Sequence, residues 1–199
     1  DSLSGNMTGS LNVTETDGDL AIGAANLTSA GDVSLTLGST GASLNGTGSI
    51  NAAGTVTLST TAGITLNAAA QIIGTNLTIT AGDHVDVGTN VDRLAATLTG
   101  LPSNLTVVEA DDLEIFATGL NVSGAIEITA NGTINGAGSV TAEFANGVLG
   151  DIQLTSTNGA VTLAGAGQIK GENLTVSAAT GATLGTEVAA IDANITGTG

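Results

Sequence analysis

The octapeptide Asn76-Leu77-Thr78-Ile79-Thr80-Ala81-Gly82-Asp83 alternates aliphatic and hydroxylated side chains, then stops at a Gly-Asp pair. Alternation at period two reads as a strand with one buried face, and Gly-Asp reads as the turn that ends it. The same four-residue pattern begins at Leu11, Val33, Val56, Leu77, Leu105, Ile126, Ile152 and Leu174. Successive starts lie 21 to 28 residues apart, the spacing of one solenoid coil per repeat. Stacked coils pair like strand with like strand in parallel, so these eight residues are expected to form one inward ladder that excludes water along the axis.

Between these strands lie further apolar dyads, among them Leu20 and Ile22, Ile64 and Leu66, Val85 and Val87, Leu113 and Ile115, and Val161 and Leu163. Gly, Asn and Asp punctuate the gaps, so each coil reads as two or three short strands joined by turns. A longer period is superimposed. Ile64-Thr65-Leu66, Gln71-Ile72, Gly74 and Asn76-Leu77-Thr78 recur 97 residues later as Val161-Thr162-Leu163, Gln168-Ile169, Gly171 and Asn173-Leu174-Thr175. More loosely, Leu11, Val13, Glu15, Asp17 and Leu20 match Leu105, Val107, Glu109, Asp111 and Leu113. The chain is therefore read as two tandem units of one continuous solenoid, residues 1–100 and 101–199, of about four coils each. Residues 1–9 share the phase of 92–100, and 191–197 return to it, which reads as an internal slice of a longer array.

Composition narrows the function. The chain has 30 Gly, one Pro, two Phe and no Cys, Trp or Tyr, so its interior must be filled by small aliphatics. A hydrophobic share of 41% is too high for a disordered chain. Eighteen acids face only Arg93 and Lys170, for a net charge of −16. Such a surface neither neutralises nucleic-acid phosphates nor seeks anionic lipid. No apolar run is long enough to span a bilayer, so no membrane span is expected.

The segments Asn76–Asp83 and Leu105-Thr106-Val107-Val108-Glu109-Ala110-Asp111 resemble the β-helix exoproteins of filamentous-haemagglutinin type and related giant bacterial surface adhesins of two-partner secretion or autotransporter type. The resemblance implies a right-handed parallel β-helix, secreted to the cell surface, that serves as a structural fibre or adhesin stalk without catalysis. Its implied partners are adjoining repeats, like fibres, and glycans of a host or neighbouring cell. Fold alone leaves other readings open: a β-helix that binds or cleaves carbohydrate, a Ca²⁺-dependent surface layer, or an ice-binding face.

Few residues offer chemistry. Glu15, Asp17 and Asp19, and their counterparts Glu109, Asp111 and Asp112, follow a strand at a turn. Oxygen ligands of this kind suit weak Ca²⁺ binding, the one cofactor the sequence offers, although solvated turn carboxylates are the simpler reading. His84 stands among Asp83, Asp86 and Asp92, but its counterpart in the second unit is Gly181. Outward Ser34, Thr57, Thr78, Thr106 and Thr175 are expected to form a hydroxyl ladder, interrupted by Glu127 and Gln153. Asn-x-Ser/Thr sequons at Asn6, Asn12, Asn26, Asn76, Asn104, Asn121, Asn173 and Asn194 are read as strand starts after turns.

Overall fold

A computed structural model describes residues 1–68, 71–144 and 146–197, and within them finds strands and turns but no helix. The first unit contains β1 (Ser2–Met7), β2 (Leu11–Glu15), β3 (Leu20–Ser29), β4 (Val33–Leu37), β5 (Leu44–Gly46), β6 (Ile50–Ala52), β7 (Thr55–Ser59), β8 (Ile64–Leu66), β9 (Ile72–Ala81) and β10 (Val85–Leu98). The second contains β11 (Leu105–Glu109), β12 (Leu113–Val122), β13 (Ile126–Ala130), β14 (Ile134–Gly136), β15 (Val140–Ala142), β16 (Ile152–Ser156), β17 (Ala160–Leu163), β18 (Ile169–Ala178), β19 (Gly181–Leu184) and β20 (Thr186–Ile195). All strand ladders are parallel, and the chain is a β-solenoid of about nine turns. At ~4.8 Å per layer the stack is about 40 Å long.

Aliphatic columns hold the coils together. One runs Leu20, Leu44, Ile64, Val85, Leu105, Ile126, Ile152, Leu174 and Ile191, each paired with the next. From Leu20 to Leu174 its members are 3% exposed or less. Val and Ile suit these positions because branching at Cβ costs little on a pleated surface and fills the narrow space between layers. The outward partners along this column are polar from Asn45 through Thr65 and Thr106 to Thr175, side chains that water can solvate.

This column corrects the ladder expected from the strand starts. Leu11, Val33, Val56 and Leu77 do stack, but the next residue on Leu77 is Leu94, and Leu94 carries Ile115. Leu105 lies instead on Val85, in the column that began at Leu20. The outward hydroxyl ladder divides at the same place: Thr78 pairs with Ala95, and Thr106 with Asp86. The cause is the coil from Leu77 to Leu94, only 17 residues long, which the four-residue pattern passes over. It recurs from Leu174 to Ile191. Each 97-residue period is thus four coils plus the arc from one face to the next, so the second unit starts one face further round. Two short coils that the strand starts skip also explain why the turn count is nearer nine than eight.

β10 makes the switch. Its first part, Val85–Val91, lies on β8 and on the start of β9, and carries β11. Its second part, Arg93–Leu98, lies on the end of β9 and carries β12. Cysteines placed at Asp86 and Thr106, outward and adjacent across this step, should oxidise readily to an intrachain disulfide in a chain that has no other thiol. Thr78→Cys with Thr106→Cys should stay reduced; a non-reducing peptide map of both variants checks the switch.

The spacing of 26 between Ile126 and Ile152 has a separate origin. Residues 143–144 and 146–150 leave the coil, with an antiparallel bridge between Glu143 and Leu149.

Candidate functional site

Four of the six carboxylates offered as Ca²⁺ ligands, Glu15, Asp19, Glu109 and Asp112, accept backbone N–H groups. Asp19 Oδ1 accepts the Ser43 N–H at 2.8 Å, and its counterpart Asp112 accepts the Thr133 N–H at 2.6 Å. Each reaches from the corner of one coil to the corner of the next. Corners break the strand ladder and leave N–H groups that need an acceptor. Asn26, Asp32 and Asn104 serve Ser49, Thr55 and Ala125 in the same way. Asp112→Ala should cost about 1 kcal/mol of stability by orphaning one such N–H, as a urea titration would read. Asp17 and Asp111 are exposed. Among the described residues no three His, Cys, Asp or Glu side chains are gathered where they could hold a metal ion.

The two glutamates of these clusters differ. Glu15 is half-buried and accepts the Asp17 N–H at 2.8 Å. Glu109 is 2% exposed and points inward at the junction of the units. Its column runs Leu27, Ile50, Ile72, Thr89, Glu109, Ala130 and Ser156, so Thr89 and Glu109 set a polar step on the aliphatic run from Leu27 to Ile72. Glu109 Oε2 accepts the Thr89 hydroxyl at 2.8 Å and the Val91 N–H at 3.2 Å. Oε1 accepts the N–H groups of Ala110 at 2.7 Å and Asp111 at 3.4 Å. Burial pushes the carboxyl up from 4.5 to about 6, against these four hydrogen bonds, which pull it down.

His84 is a brace as well. Its Nδ1 accepts the Asn104 backbone N–H at 2.8 Å, and the His84 backbone N–H donates to Asp83 Oδ1 at 2.8 Å. Asp86 accepts from the Asn67 amide at 2.9 Å, while Asp92 is exposed. The two cations are each paired with a neighbouring coil, Arg93 with Glu114 of the next at 2.8 Å and Lys170 with Glu143 of the one before at 2.5 Å. Arg93 also lies over the Phe116 ring, 5.8 Å from its centroid.

Sequence reasoning missed a buried pair. Gln71 and Gln168, 97 residues apart, are 3% and 8% exposed. Gln168 Nε2 donates to the carbonyls of Gly136 at 2.9 Å and Gly138 at 2.7 Å, and its Oε1 accepts the Gly165 N–H at 2.7 Å. Gln71 makes the same three bonds to Gly46, Gly48 and Ala68. Their recurrence with a Gly-x-Gly one coil earlier was the available signal.

Two clefts open on the surface. An apolar one of about 530 Å³ lies at the unit junction, lined among the described residues by Leu101, Pro102, Phe144 and Asn146. None of these four side chains titrates. A smaller polar groove of about 240 Å³ is lined by Glu127, Asp151, Gln153, Asn173 and Thr175, among others. In it, the Asn173 amide already donates to Asp151 at 2.8 Å. The bonded carboxylates thus accept from backbone N–H groups, side-chain amides, the Thr89 hydroxyl and the two cations. No protein-family model, curated protein or solved structure matches this chain.

Proposed function

We propose that the chain is a structural repeat segment of an extracellular surface fibre or adhesin stalk and has no catalytic role. The observation that carries this reading is the junction: the aliphatic column from Leu20 to Leu174 runs through it unbroken. Such a joint lets a rod lengthen by adding units, since each layer needs only its neighbours. Interlayer hydrogen bonds along the axis make it stiff, and a net charge of −16 keeps it soluble and discourages lateral sticking. Immunogold microscopy of intact source cells, with antibody raised against this chain, is expected to label thin filaments outside the cell. Label confined to the interior, or release of new reducing ends from polysaccharides by the purified chain, would overturn the reading.

A further inference from the structure

Five asparagines are followed by glycine: Asn45, Asn131, Asn135, Asn146 and Asn158. An Asn-Gly pair carries its own chemistry. The glycine nitrogen can attack the side-chain amide carbon, and no Cβ on the glycine hinders the approach. Attack requires rotation about the asparagine Cα–C bond until that nitrogen faces Cγ. How fast a pair reacts therefore depends on how firmly the fold holds both residues.

The coils hold four of the five. Asn45 and Asn135 lie in β5 and β14 with a layer on each side, Ala21 and Thr65 for the first, Glu114 and Thr162 for the second. Their glycines rest directly on the backbone of Ile22 and Ile115. Asn131 and Asn158 stack side chain on side chain, the Asn158 amide donating to Asn131 Oδ1 at 2.7 Å. The Gly132 N–H donates to the Asp111 carbonyl of the coil below at 2.8 Å. Gly159 is buried, with its N–H on Ser156 Oγ at 3.1 Å.

Asn146 and Gly147 are placed differently. Both are exposed, in the insertion bridged by Glu143 and Leu149, and a Cβ on Gly147 would meet nothing within 4 Å. No other coil clamps them. Their hydrogen bonds stay within the insertion: the Gly147 N–H donates to the Phe144 carbonyl at 2.9 Å, and the Val148 N–H donates to Asn146 Oδ1 at 3.2 Å. The second bond draws electrons away from Cγ and is aimed at the oxygen that becomes an oxyanion under attack.

We propose that Asn146 is a site of spontaneous modification, converted through a cyclic imide with Gly147 to aspartate and isoaspartate. The Gly147 nitrogen gives its proton to solvent base and bonds to Asn146 Cγ, while the carbonyl electron pair moves onto Oδ1. That pair returns as the Cγ–Nδ2 bond breaks, and Nδ2 takes up a proton and leaves as ammonia. Water then opens the ring. Breaking the new N–Cγ bond leaves aspartate. Breaking the bond to the Asn146 backbone carbonyl leaves isoaspartate, whose main chain runs through the former side chain. In sum one water is consumed and one ammonia released, with no change of oxidation state. Either product sets a carboxylate where Asn146 lines the apolar cleft beside Leu101, Pro102 and Phe144, so the cleft acquires a charged rim as the chain ages. This chemistry belongs to the insertion and holds whether or not the chain is part of a surface fibre.

The test holds the full chain for days at mildly alkaline pH and follows each Asn-Gly pair by peptide mapping with tandem mass spectrometry. In the folded chain Asn146 is expected to convert at least about tenfold faster than any of the other four, because only they must wait for a coil to open. In concentrated urea, where no coil protects them, the five rates should converge. On isoelectric focusing the folded parent should grow an acidic satellite band. An Asn146→Gln chain, whose longer side chain would have to close a less favourable six-membered ring, should not; circular dichroism verifies that it folds. An Asn146 that stays intact in the folded chain, a rate there no greater than at the other four pairs, or a satellite band undiminished in Asn146→Gln would each overturn the proposal.

Discussion

Gly136→Ala should remove about 3–5 kcal/mol of unfolding free energy, a large part of what a chain of this size possesses. Gly136 has φ +134°, in the region that L side chains rarely adopt. A Cβ there would also overlap the Ile115 carbonyl oxygen and stand 2.7 Å from the Ile115 nitrogen, both backbone atoms of the coil beneath. Neither group can swing aside, because Ile115 is locked between Leu94 and Gly136 in the ladder. The damage should extend to Gln168, whose amide bridges the Gly136 and Gly138 carbonyls. Gly46 repeats the geometry, with φ +133° and the Ile22 backbone beneath it, so Gly46→Ala should behave alike. Gly181→Ala is the control: nothing lies within 4 Å of its Cβ, and its midpoint in urea should move little. Equal midpoints for the Gly136 and Gly181 variants would refute the corner geometry.

Glu109→Ala should cost about 2–4 kcal/mol at pH 7, because the buried Thr89 hydroxyl and Val91 N–H lose their acceptor. The carboxyl also has a pH signature. It binds its proton more tightly in the folded chain, near 6, than at its ordinary 4.5. Its favourable contribution is therefore complete below pH 4.5 and is lost as pH rises through about 6. The loss amounts to at most about 2 kcal/mol. Glu109→Gln removes this titration while all other carboxylates remain. The stability of the parent chain relative to Glu109→Gln should thus fall between pH 4.5 and pH 7 by up to that amount. A difference that stays flat across the window, measured by urea unfolding at each pH, would show that the group does not titrate in the folded chain as burial requires.

The joint between units is the part of this molecule with the most bearing on function. A repeat of whole coils would place each unit's strands directly over the last. Here the 17-residue coil advances the second unit by one face, so corner loops, and the insertion bridged by Glu143 and Leu149, are displayed at new positions around the rod. The buried Thr89–Glu109 step fixes where that change happens. Set above the aliphatic Leu27, Ile50 and Ile72, a carboxylate with four donors tolerates one neighbour and no other, so it sets register more sharply than Leu on Leu.

Period-two alternation, Gly/Asn/Asp turns and the absence of large aromatics were sufficient to give the parallel solenoid, the inward aliphatics and the 97-residue repeat. They were sufficient because inward and outward positions differ in solvent, and a strand writes that difference into every second residue. Which coil lay on which was another matter. Leu77, Leu94, Leu105 and Val85 are interchangeable aliphatics, and nothing in their chemistry says that Leu105 belongs on Val85. That pairing depends on how many residues each corner consumes, and corner length is settled only when the layers close against one another. The acidic clusters were ambiguous for a related reason. Asp19 and Asp112 look the same as ligands or as braces until the N–H one coil away, more than twenty residues distant in sequence, is seen to point at them. Glu15 and Glu109 share a sequence pattern, yet only Glu109 is buried, because burial comes from the layer above and below and not from the strand that carries the residue.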